Sequence, residues 1–209
     1  MTRRVGVIDY GAGNVTNVSR ALDFIGVDNE LVDSPDRWER FSHLILPGVG
    51  SFVAGMEGLR ARDLEGAIGR SFSSGTPLLG SCLGMQLVFE RGEEGKGSAG
   101  LSLVSGDVRH LGRGLVLRDY RIPHVGWSEV VFEPQVRSMV KRADSFFFSH
   151  SFEALPSDPA IVTSRVNIGS KTVVSSFNLG ALTGVQFHPE KSGEQGLDFL
   201  RNWIENPGI

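Results

Sequence analysis

The segment Pro77-Leu78-Leu79-Gly80-Ser81-Cys82-Leu83-Gly84 is the most informative part of the sequence, because it places an apolar strand, a sharp turn and the start of a helix in succession. A small-x-nucleophile-x-small pattern at such a turn is typical of a nucleophile elbow. The turn needs glycine on both sides, since its strained backbone brings neighbouring atoms close together. The following helix points its N-terminal amides at the thiol, which should therefore lose its proton readily. We predict that Cys82, the only cysteine of the chain, is a nucleophile rather than an inert core residue.

Two segments before the elbow repeat the order of strand, glycine-containing turn and helix. In the first, Val5–Ile8 leads into Asp9-Tyr10-Gly11-Ala12-Gly13-Asn14. In the second, His43–Leu46 leads into Pro47-Gly48-Val49-Gly50, and a helical pattern covers Met56–Phe72. Strands that alternate with helices predict βαβ units, and hence an α/β fold with a doubly wound, mostly parallel sheet of the flavodoxin-like type. Its sites are expected at the carboxyl ends of the strands.

The second half of the chain is richer in short β-type runs. These runs are Leu101–Val104, Val108–Leu111, Leu115–Leu117, Val130–Phe132, Phe146–Phe148, Ile161–Thr163, Thr172–Phe177 and Leu182–Phe187. They predict an antiparallel β layer added to the parallel sheet. Helical spacing returns over Gly193–Ile204 and predicts a closing helix. Because no linker separates the two halves, residues 1–209 are predicted to form a single domain.

The composition excludes several classes of function. With 209 residues and a net charge of -3, the chain has no basic surface stripe of the kind that binds nucleic acid. It contains no apolar window long enough to span a membrane. No cysteine or histidine cluster has metal-ligand spacing, and the glycine-rich segments do not match phosphate loops, so neither a metal nor a cofactor is predicted. A single free cysteine suits a reducing compartment, which predicts the cytoplasm.

A thiol nucleophile needs a base, and the base needs an acceptor that orients it. Among the five histidines, His188 ends a strand-like run and is followed two residues later by Glu190. If the chain stays extended through Pro189, both side chains point the same way, and the carboxylate holds the imidazole while its other nitrogen faces Cys82. We therefore predict a Cys82-His188-Glu190 triad. His124 and His150 are rivals, but neither has an acid at matching spacing, and we expect them to be structural or pocket-lining residues.

Attack by a thiolate on a carbonyl creates an oxyanion, which backbone N–H groups must stabilise. Two elements can supply them. The amide of Leu83 lies directly after the nucleophile, and the Pro47–Gly50 turn brings bare backbone close because two of its residues lack side chains. Taken alone, this turn could equally be a simple end to a strand.

Several motifs of the sequence resemble those of a known family. Pro47–Gly50, Gly80–Gln86 and Gln186–Ser192 strongly resemble class I (triad) glutamine amidotransferases. Within this class, Asp9–Asn14, Pro123-His124-Val125-Gly126-Trp127 and the lysine at position 191 resemble the glutaminase subunits of imidazole glycerol phosphate synthases.

The resemblance implies hydrolysis of L-glutamine to glutamate and ammonia by the triad. It also implies roles for three further sets of residues: an oxyanion hole at Val49, Gly50 and Leu83; substrate binding by Gln86 and Glu94 with the backbone of His150, Ser151 and Phe152; and a partner interface near Asn14 and Lys191. In this family the ammonia passes to a (βα)8 barrel synthase subunit, which makes imidazole glycerol phosphate and an aminoimidazole carboxamide ribotide. Such a barrel does not fit in this chain, so a separate polypeptide and a heterodimer are expected.

Other functions stay open on the sequence. The chain could supply ammonia to a different synthase, for instance one of surface-sugar biosynthesis, or act alone as a cysteine hydrolase on γ-glutamyl or peptide bonds. A non-enzymatic binding module is disfavoured by the complete triad. Two residues depart from the family pattern: Ser81 replaces an aliphatic residue, and Phe147 occupies a position often held by tyrosine near the ammonia exit.

Overall fold

The computed structural model describes residues 3–36, 38–95, 97–113, 121–134 and 144–207. The strands within this part are β1 (Arg4–Ile8), β2 (Asp28–Val32), β3 (His43–Leu46), β4 (Leu78–Ser81), β5 (Phe89–Gly92), β6 (Ser98–Ala99), β7 (Val104–His110), β8 (His124–Phe132), β9 (Asp144–His150), β10 (Phe152–Pro156), β11 (Val162–Ile168), β12 (Lys171–Leu179) and β13 (Leu182–Val185). The helices are α1 (Val15–Phe24), α2 (Phe52–Ala61), α3 (Leu64–Ser73), α4 (Leu83–Leu87) and α5 (Gly193–Glu205). Short 3-10 turns cover Trp38–Arg40, Pro159–Ile161 and Pro189–Lys191.

The described residues form a nine-stranded mixed sheet with the strand order β2-β1-β3-β4-β13-β12-β11-β8-β9. Its first five strands run parallel, and the rest continue it with antiparallel pairing. The predicted α/β fold is therefore confirmed. Most of the predicted antiparallel strands extend this same sheet, because β13 pairs with β4 on one side and with β12 on the other. A separate second sheet has the order β10-β7-β5-β6.

Two hydrophobic clusters lie on opposite faces of the main sheet. Parallel strands covered on both faces read as continuous apolar runs, and all four residues of β3 are buried. The helices α1 and α5 cover one face through Leu22, Leu200 and Trp203. The helices α2, α3 and α4 belong to the other cluster. This division of helices between the two faces is the doubly wound arrangement.

The sequence predicts one helical stretch over Met56–Phe72, but the structure has two helices there, α2 and α3. The break falls where Asp63 adopts a left-handed backbone conformation with φ 55°. Just before it, the guanidinium of Arg62 donates a hydrogen bond to the Tyr10 carbonyl oxygen at 2.9 Å. The apolar periodicity continues across the break because both helices bury their apolar faces in one cluster.

The closing helix predicted over Gly193–Ile204 is confirmed as α5. The predicted strand Leu115–Leu117 lies outside the described residues. None of the helices described is both long enough and apolar enough to cross a membrane.

Candidate active site

The predicted site residues gather at the carboxyl edge of the parallel strands. Asp9–Asn14 follows β1, Pro47–Gly50 follows β3, Cys82 follows β4, and Gln186–His188 follows β13. Since β1, β3, β4 and β13 run parallel, these four segments meet at one edge of the sheet. This is the position at which open α/β sheets bind their ligands.

Cys82 lies on the sharp turn that its sequence context predicts. Its backbone has φ 52° and ψ −109°, an uncommon conformation for a residue other than glycine, and its amide donates to the Val185 carbonyl oxygen at 2.8 Å. A Cβ added at Gly84 would lie 1.8 Å from the Leu46 carbonyl oxygen, and one at Gly80 would lie 2.9 Å from backbone atoms of Gly84. The turn therefore tolerates no side chain at either glycine.

The thiol of Cys82 is almost fully buried, with 5% of the residue exposed, and it contacts two polar groups of opposite kind. Its Sγ lies 3.7 Å from the carbonyl oxygen of Ser149, which can accept the S–H proton. The side-chain amide nitrogen of Gln186 lies 3.7 Å from the same sulfur and donates to it. Sequence reasoning did not assign a role to Gln186, although it stands within the quoted Gln186–Ser192 motif.

His188 and Glu190 form the predicted contact, with Nδ1 and Oε1 2.9 Å apart. The side chains are 2% and 4% exposed. The expectation of an extended chain is wrong, because residues Pro189–Lys191 form a 3-10 turn after an extended His188. Within the described part of the chain, Nε2 of His188 has no hydrogen-bond partner.

The surroundings of His188 favour its protonated form. Burial opposes the imidazolium, but the interactions with Cys82 and Glu190 outweigh burial and raise the pKa of His188 to about 9 from 6.5. At neutral pH the imidazole is therefore protonated beside the sulfur. A cationic neighbour of this kind favours the thiolate of a cysteine.

Ser192 fixes the turn that carries His188. Its hydroxyl donates to the His188 carbonyl oxygen at 2.6 Å and accepts from the Phe147 amide at 2.9 Å. The His188 amide in turn donates to the Phe147 carbonyl oxygen at 2.9 Å. These bonds tie the turn to β9, which passes beside Cys82 at Ser149.

Of the three predicted oxyanion donors, the Leu83 amide already has an acceptor within the protein. The Leu83 amide donates to the Gly48 carbonyl oxygen at 3.4 Å, a long contact. Val49 and Gly50 are exposed, and Gly50 has φ 104°. A substrate oxyanion would therefore have to replace the Gly48 carbonyl at the Leu83 amide.

The predicted substrate residues are partly engaged with the protein itself. The carboxylate of Glu94 accepts from the Phe52 amide at the start of α2. The Gln86 amide nitrogen donates to the Phe152 carbonyl oxygen at 3.1 Å and to the Gln186 side-chain oxygen at 2.9 Å. The Ser151 carbonyl oxygen accepts from the amide of Leu111. Among the residues described, the side-chain oxygen of Gln86 has no hydrogen-bond partner.

His150 and His124, the rival histidines, form a pair with each other. The His150 Nε2 lies 3.1 Å from the His124 Nδ1, and the two residues face each other across β8 and β9. Burial lowers the pKa of His150 to about 3. Burial also lowers the pKa of His124. Both are therefore neutral at physiological pH, and both nitrogens of each ring already lie in hydrogen-bond contact with other protein groups.

A surface beside the triad carries the predicted interface residues. Asn14 caps α1, accepting from the Asn17 amide, and α1 packs against the turn that contains Lys191. The Lys191 ammonium lies 5.8 Å from the centre of the Phe147 ring. That ring packs edge-on against Trp127, which is 55% exposed. The exposure of Trp127 was not predicted, although its alternation with exposed Val125 along β8 is the signal that could have revealed it.

Nothing in the described ranges suggests a metal centre, since no group of three or more His, Cys, Asp or Glu side chains is arranged to hold an ion. The site offers instead a buried thiol, a protonated imidazole and a carboxylate. This set is suited to nucleophilic attack on a carbonyl carbon.

Comparison with known proteins agrees with this chemistry. The model of the family "Glutamine amidotransferase class-I" matches residues 6–206. The chain therefore belongs to the class I glutamine amidotransferase family.

Within that family it is similar to proteins named imidazole glycerol phosphate synthase subunit HisH. The protein of this name from Moorella thermoacetica is 40% identical over 206 residues, covering 97% of this chain and 95% of the relative. The one from Pyrococcus furiosus is 36% identical over 202 residues, covering 96% and 97%. A crystal structure of a glutamine amidotransferase superposes with a TM-score of 0.76 at 18% identity over 98% of this chain and 99% of that one. This last likeness is one of fold.

Proposed function

We propose that this chain is the glutaminase subunit of an imidazole glycerol phosphate synthase. It hydrolyses L-glutamine to glutamate and ammonia, and the ammonia passes to a separate (βα)8 barrel subunit. That subunit makes imidazole glycerol phosphate and an aminoimidazole carboxamide ribotide in histidine biosynthesis. The observation that carries the proposal is the buried pair of His188 and Glu190 beside Cys82 on its strained turn.

The proposed reaction begins with attack of the Cys82 thiolate on the side-chain amide carbon of glutamine. The resulting oxyanion is stabilised by the Leu83 amide, once the Gly48 carbonyl has moved from it, and by backbone at Val49 and Gly50. The His188 imidazolium gives its proton to the amide nitrogen, which leaves as ammonia and leaves a thioester on Cys82.

Hydrolysis of the thioester completes the cycle. The now neutral His188 takes a proton from water, and the hydroxide attacks the thioester carbon. Glutamate departs and the thiolate is restored. Glu190 orients the imidazole through Nδ1 and stabilises its positive charge throughout, which its 2.9 Å contact supports.

Recognition of glutamine is proposed to use the groups that the fold leaves available. The side-chain oxygen of Gln86 would accept from the α-ammonium group, because the nitrogen of the same amide already has two acceptors. Glu94 and the backbone of residues 150–152 would hold the rest of the α-amino and carboxylate groups.

The partner is proposed to cover the surface formed by Asn14, Lys191, Trp127 and Val125. Aromatic residues are enriched at protein interfaces, and Trp is common among the residues that account for most of the binding energy. This surface lies at the carboxyl edge, next to the triad, so released ammonia has a short route to the second subunit. The single free thiol suits a reducing compartment, and the cytoplasm is the proposed location.

A glutamine-like electrophile, 6-diazo-5-oxo-L-norleucine, tests the chemistry. We expect stoichiometric labelling of Cys82 that glutamine prevents and that His188→Ala slows strongly. Labelling that glutamine does not compete with would contradict the substrate assignment. Strong turnover of γ-glutamyl peptides by the isolated chain would favour a stand-alone hydrolase. Copurification with a barrel protein that makes a product other than imidazole glycerol phosphate would favour a different synthase.

A further inference from the structure

Gln186 is the first member of a hydrogen-bonded chain that starts at the reactive sulfur. It is completely buried, with 0% exposed, and its amide nitrogen lies 3.7 Å from the Cys82 Sγ. Its side-chain oxygen accepts from the Gln86 amide nitrogen at 2.9 Å. That nitrogen also donates to the Phe152 carbonyl oxygen at 3.1 Å. Three successive contacts therefore connect the nucleophile with one backbone carbonyl.

The chain continues from the same carbonyl to the exposed side of the sheet. The His150 Nδ1 lies 2.7 Å from the Phe152 oxygen, and its Nε2 lies 3.1 Å from the His124 Nδ1. The His124 Nε2 lies 2.9 Å from the Ser128 hydroxyl. Ser128 belongs to β8, next to the exposed Trp127.

The Phe152 carbonyl sets the direction of every bond toward the sulfur. A carbonyl oxygen only accepts, so the Gln86 atom that faces it is the nitrogen. This nitrogen donates its second hydrogen to Gln186. The Gln186 side chain must therefore turn its oxygen toward Gln86. The remaining Gln186 nitrogen then faces Cys82, and it can only donate.

The same carbonyl sets the direction of the bonds toward β8. The His150 Nδ1 must carry a hydrogen, so its Nε2 accepts from the His124 Nδ1, and the His124 Nε2 accepts from Ser128. This pattern requires both imidazoles to be neutral. Burial supports this requirement because it lowers the pKa of both rings.

We propose that Gln186 is a catalytic residue that stabilises the Cys82 thiolate through its amide N–H, and that Gln86 and His150 are positioning residues that keep this amide turned toward the sulfur. An N–H donor strengthens its bond when the acceptor becomes charged. The Ser149 carbonyl oxygen, 3.7 Å from the same sulfur, favours the protonated thiol instead, and the Gln186 amide offsets it. The catalytic consequence rests on the glutaminase function proposed above, but the effect on the thiol does not.

The pH dependence of alkylation by iodoacetamide measures the thiolate directly and needs no glutamine. Cys82 is the only cysteine, so the measured rate belongs to this site alone. Gln186→Met keeps the length of the side chain and removes the donor. We expect the midpoint of the rate profile to rise by about one pH unit, since a hydrogen bond to a charged group accounts for roughly a tenfold change in equilibrium. Gln186→Leu, which also removes the donor, should raise it to a similar extent.

The positioning role has its own pair of variants. His150→Phe removes the donor to the Phe152 carbonyl and should raise the midpoint in the same direction as Gln186→Met. His150→Asn supplies an amide N–H near the position of Nδ1 and should restore most of the change. The double variant of Gln186→Met and His150→Phe should show no larger change than Gln186→Met alone, because both act through the same amide.

His43→Gln serves as the matched control. His43 is also a buried histidine, but it lies at the amino end of β3, opposite the carboxyl edge. The substitution His43→Gln should leave the alkylation midpoint unchanged even if it lowers the free energy of unfolding. A folded Gln186→Met with the wild-type midpoint overturns the proposal, and if that variant does not fold, a wild-type midpoint in Gln186→Leu does so. A wild-type chain that follows the expected profile but hydrolyses no glutamine, either alone or with the barrel subunit, contradicts the proposed function alone.

Discussion

The buried pair of His188 and Glu190 gives the free chain a stability that depends on pH. Burial opposes the charge on His188, but the interactions with Cys82 and Glu190 raise its pKa from 6.5 to about 9. A shift of this size corresponds to about 3 kcal/mol of folding free energy. Because the folded pKa exceeds the unfolded one, this stabilisation is complete below pH 6.5 and is lost as the pH rises through 9.

Glu190→Gln is the perturbation that isolates this effect. The amide keeps the shape of the side chain and an oxygen that can accept from Nδ1 of His188, but it carries no charge. Removing a carboxylate at 2.9 Å should lower the pKa of His188 by about 1 to 2 units. The wild type should therefore lose its advantage over the variant as the pH rises. The difference between their free energies of unfolding should fall by about 1.5 to 3 kcal/mol between pH 6.5 and pH 9.5.

Urea unfolding followed by tryptophan fluorescence at several pH values provides the measurement. Burial lowers the pKa values of three other histidines, His43, His124 and His150. Their contribution to the free energy of unfolding therefore rises with pH. They are present in both proteins and cancel in the difference. Replacing an exposed carboxylate, as in Glu129→Gln, should leave the pH dependence unchanged. Parallel curves for the wild type and Glu190→Gln would refute the reasoning.

Two further predictions concern the elbow and the partner surface. Gly84→Ala should cost at least about 2 to 3 kcal/mol of stability in thermal or urea unfolding, because its Cβ would lie 1.8 Å from the Leu46 carbonyl oxygen. Gly69→Ala in α3, where no atom lies within 4 Å of the added Cβ, should instead gain about 0.5 to 1 kcal/mol; equal effects would contradict the account. Trp127→Ala should weaken binding to the proposed barrel subunit, measured by calorimetry, by about 2 kcal/mol or more. Phe24→Ala, at an even more exposed aromatic residue, should leave that affinity unchanged.

Local patterns in the sequence were sufficient to predict the elbow and the contact between His188 and Glu190. Gly80 and Gly84 flank Cys82 because backbone atoms occupy the space where side chains would lie, and this requirement is visible in the sequence. The short spacing of His188 and Glu190 allows contact from an extended chain or from a turn. The contact could therefore be predicted correctly although the backbone conformation was not.

Features that depend on contacts between distant segments were not predictable in the same way. The Leu83 amide is paired with the Gly48 carbonyl oxygen, which depends on how two loops meet. The direction of the Gln186 amide depends on a carbonyl at Phe152 through Gln86. No periodicity or spacing encodes such relations.

The break between α2 and α3 escaped prediction for a related reason. Both helices bury their apolar residues in the same cluster, so the periodicity does not register the left-handed Asp63 between them. Most of the strands that pair antiparallel were predicted as strands, although β10 was not, but only the pairing of β13 with both β4 and β12 shows that β8, β9, β11 and β12 extend the main sheet.

The central claim is that Cys82 releases ammonia from glutamine for a separate synthase subunit. The most direct test is to combine Cys82→Ala with the barrel subunit and to measure formation of imidazole glycerol phosphate from two nitrogen sources. The account predicts that synthesis from glutamine is abolished while synthesis from added ammonium salts continues at the wild-type rate. Glutamine-dependent synthesis that survives the substitution, or loss of both activities in a folded complex, would contradict it.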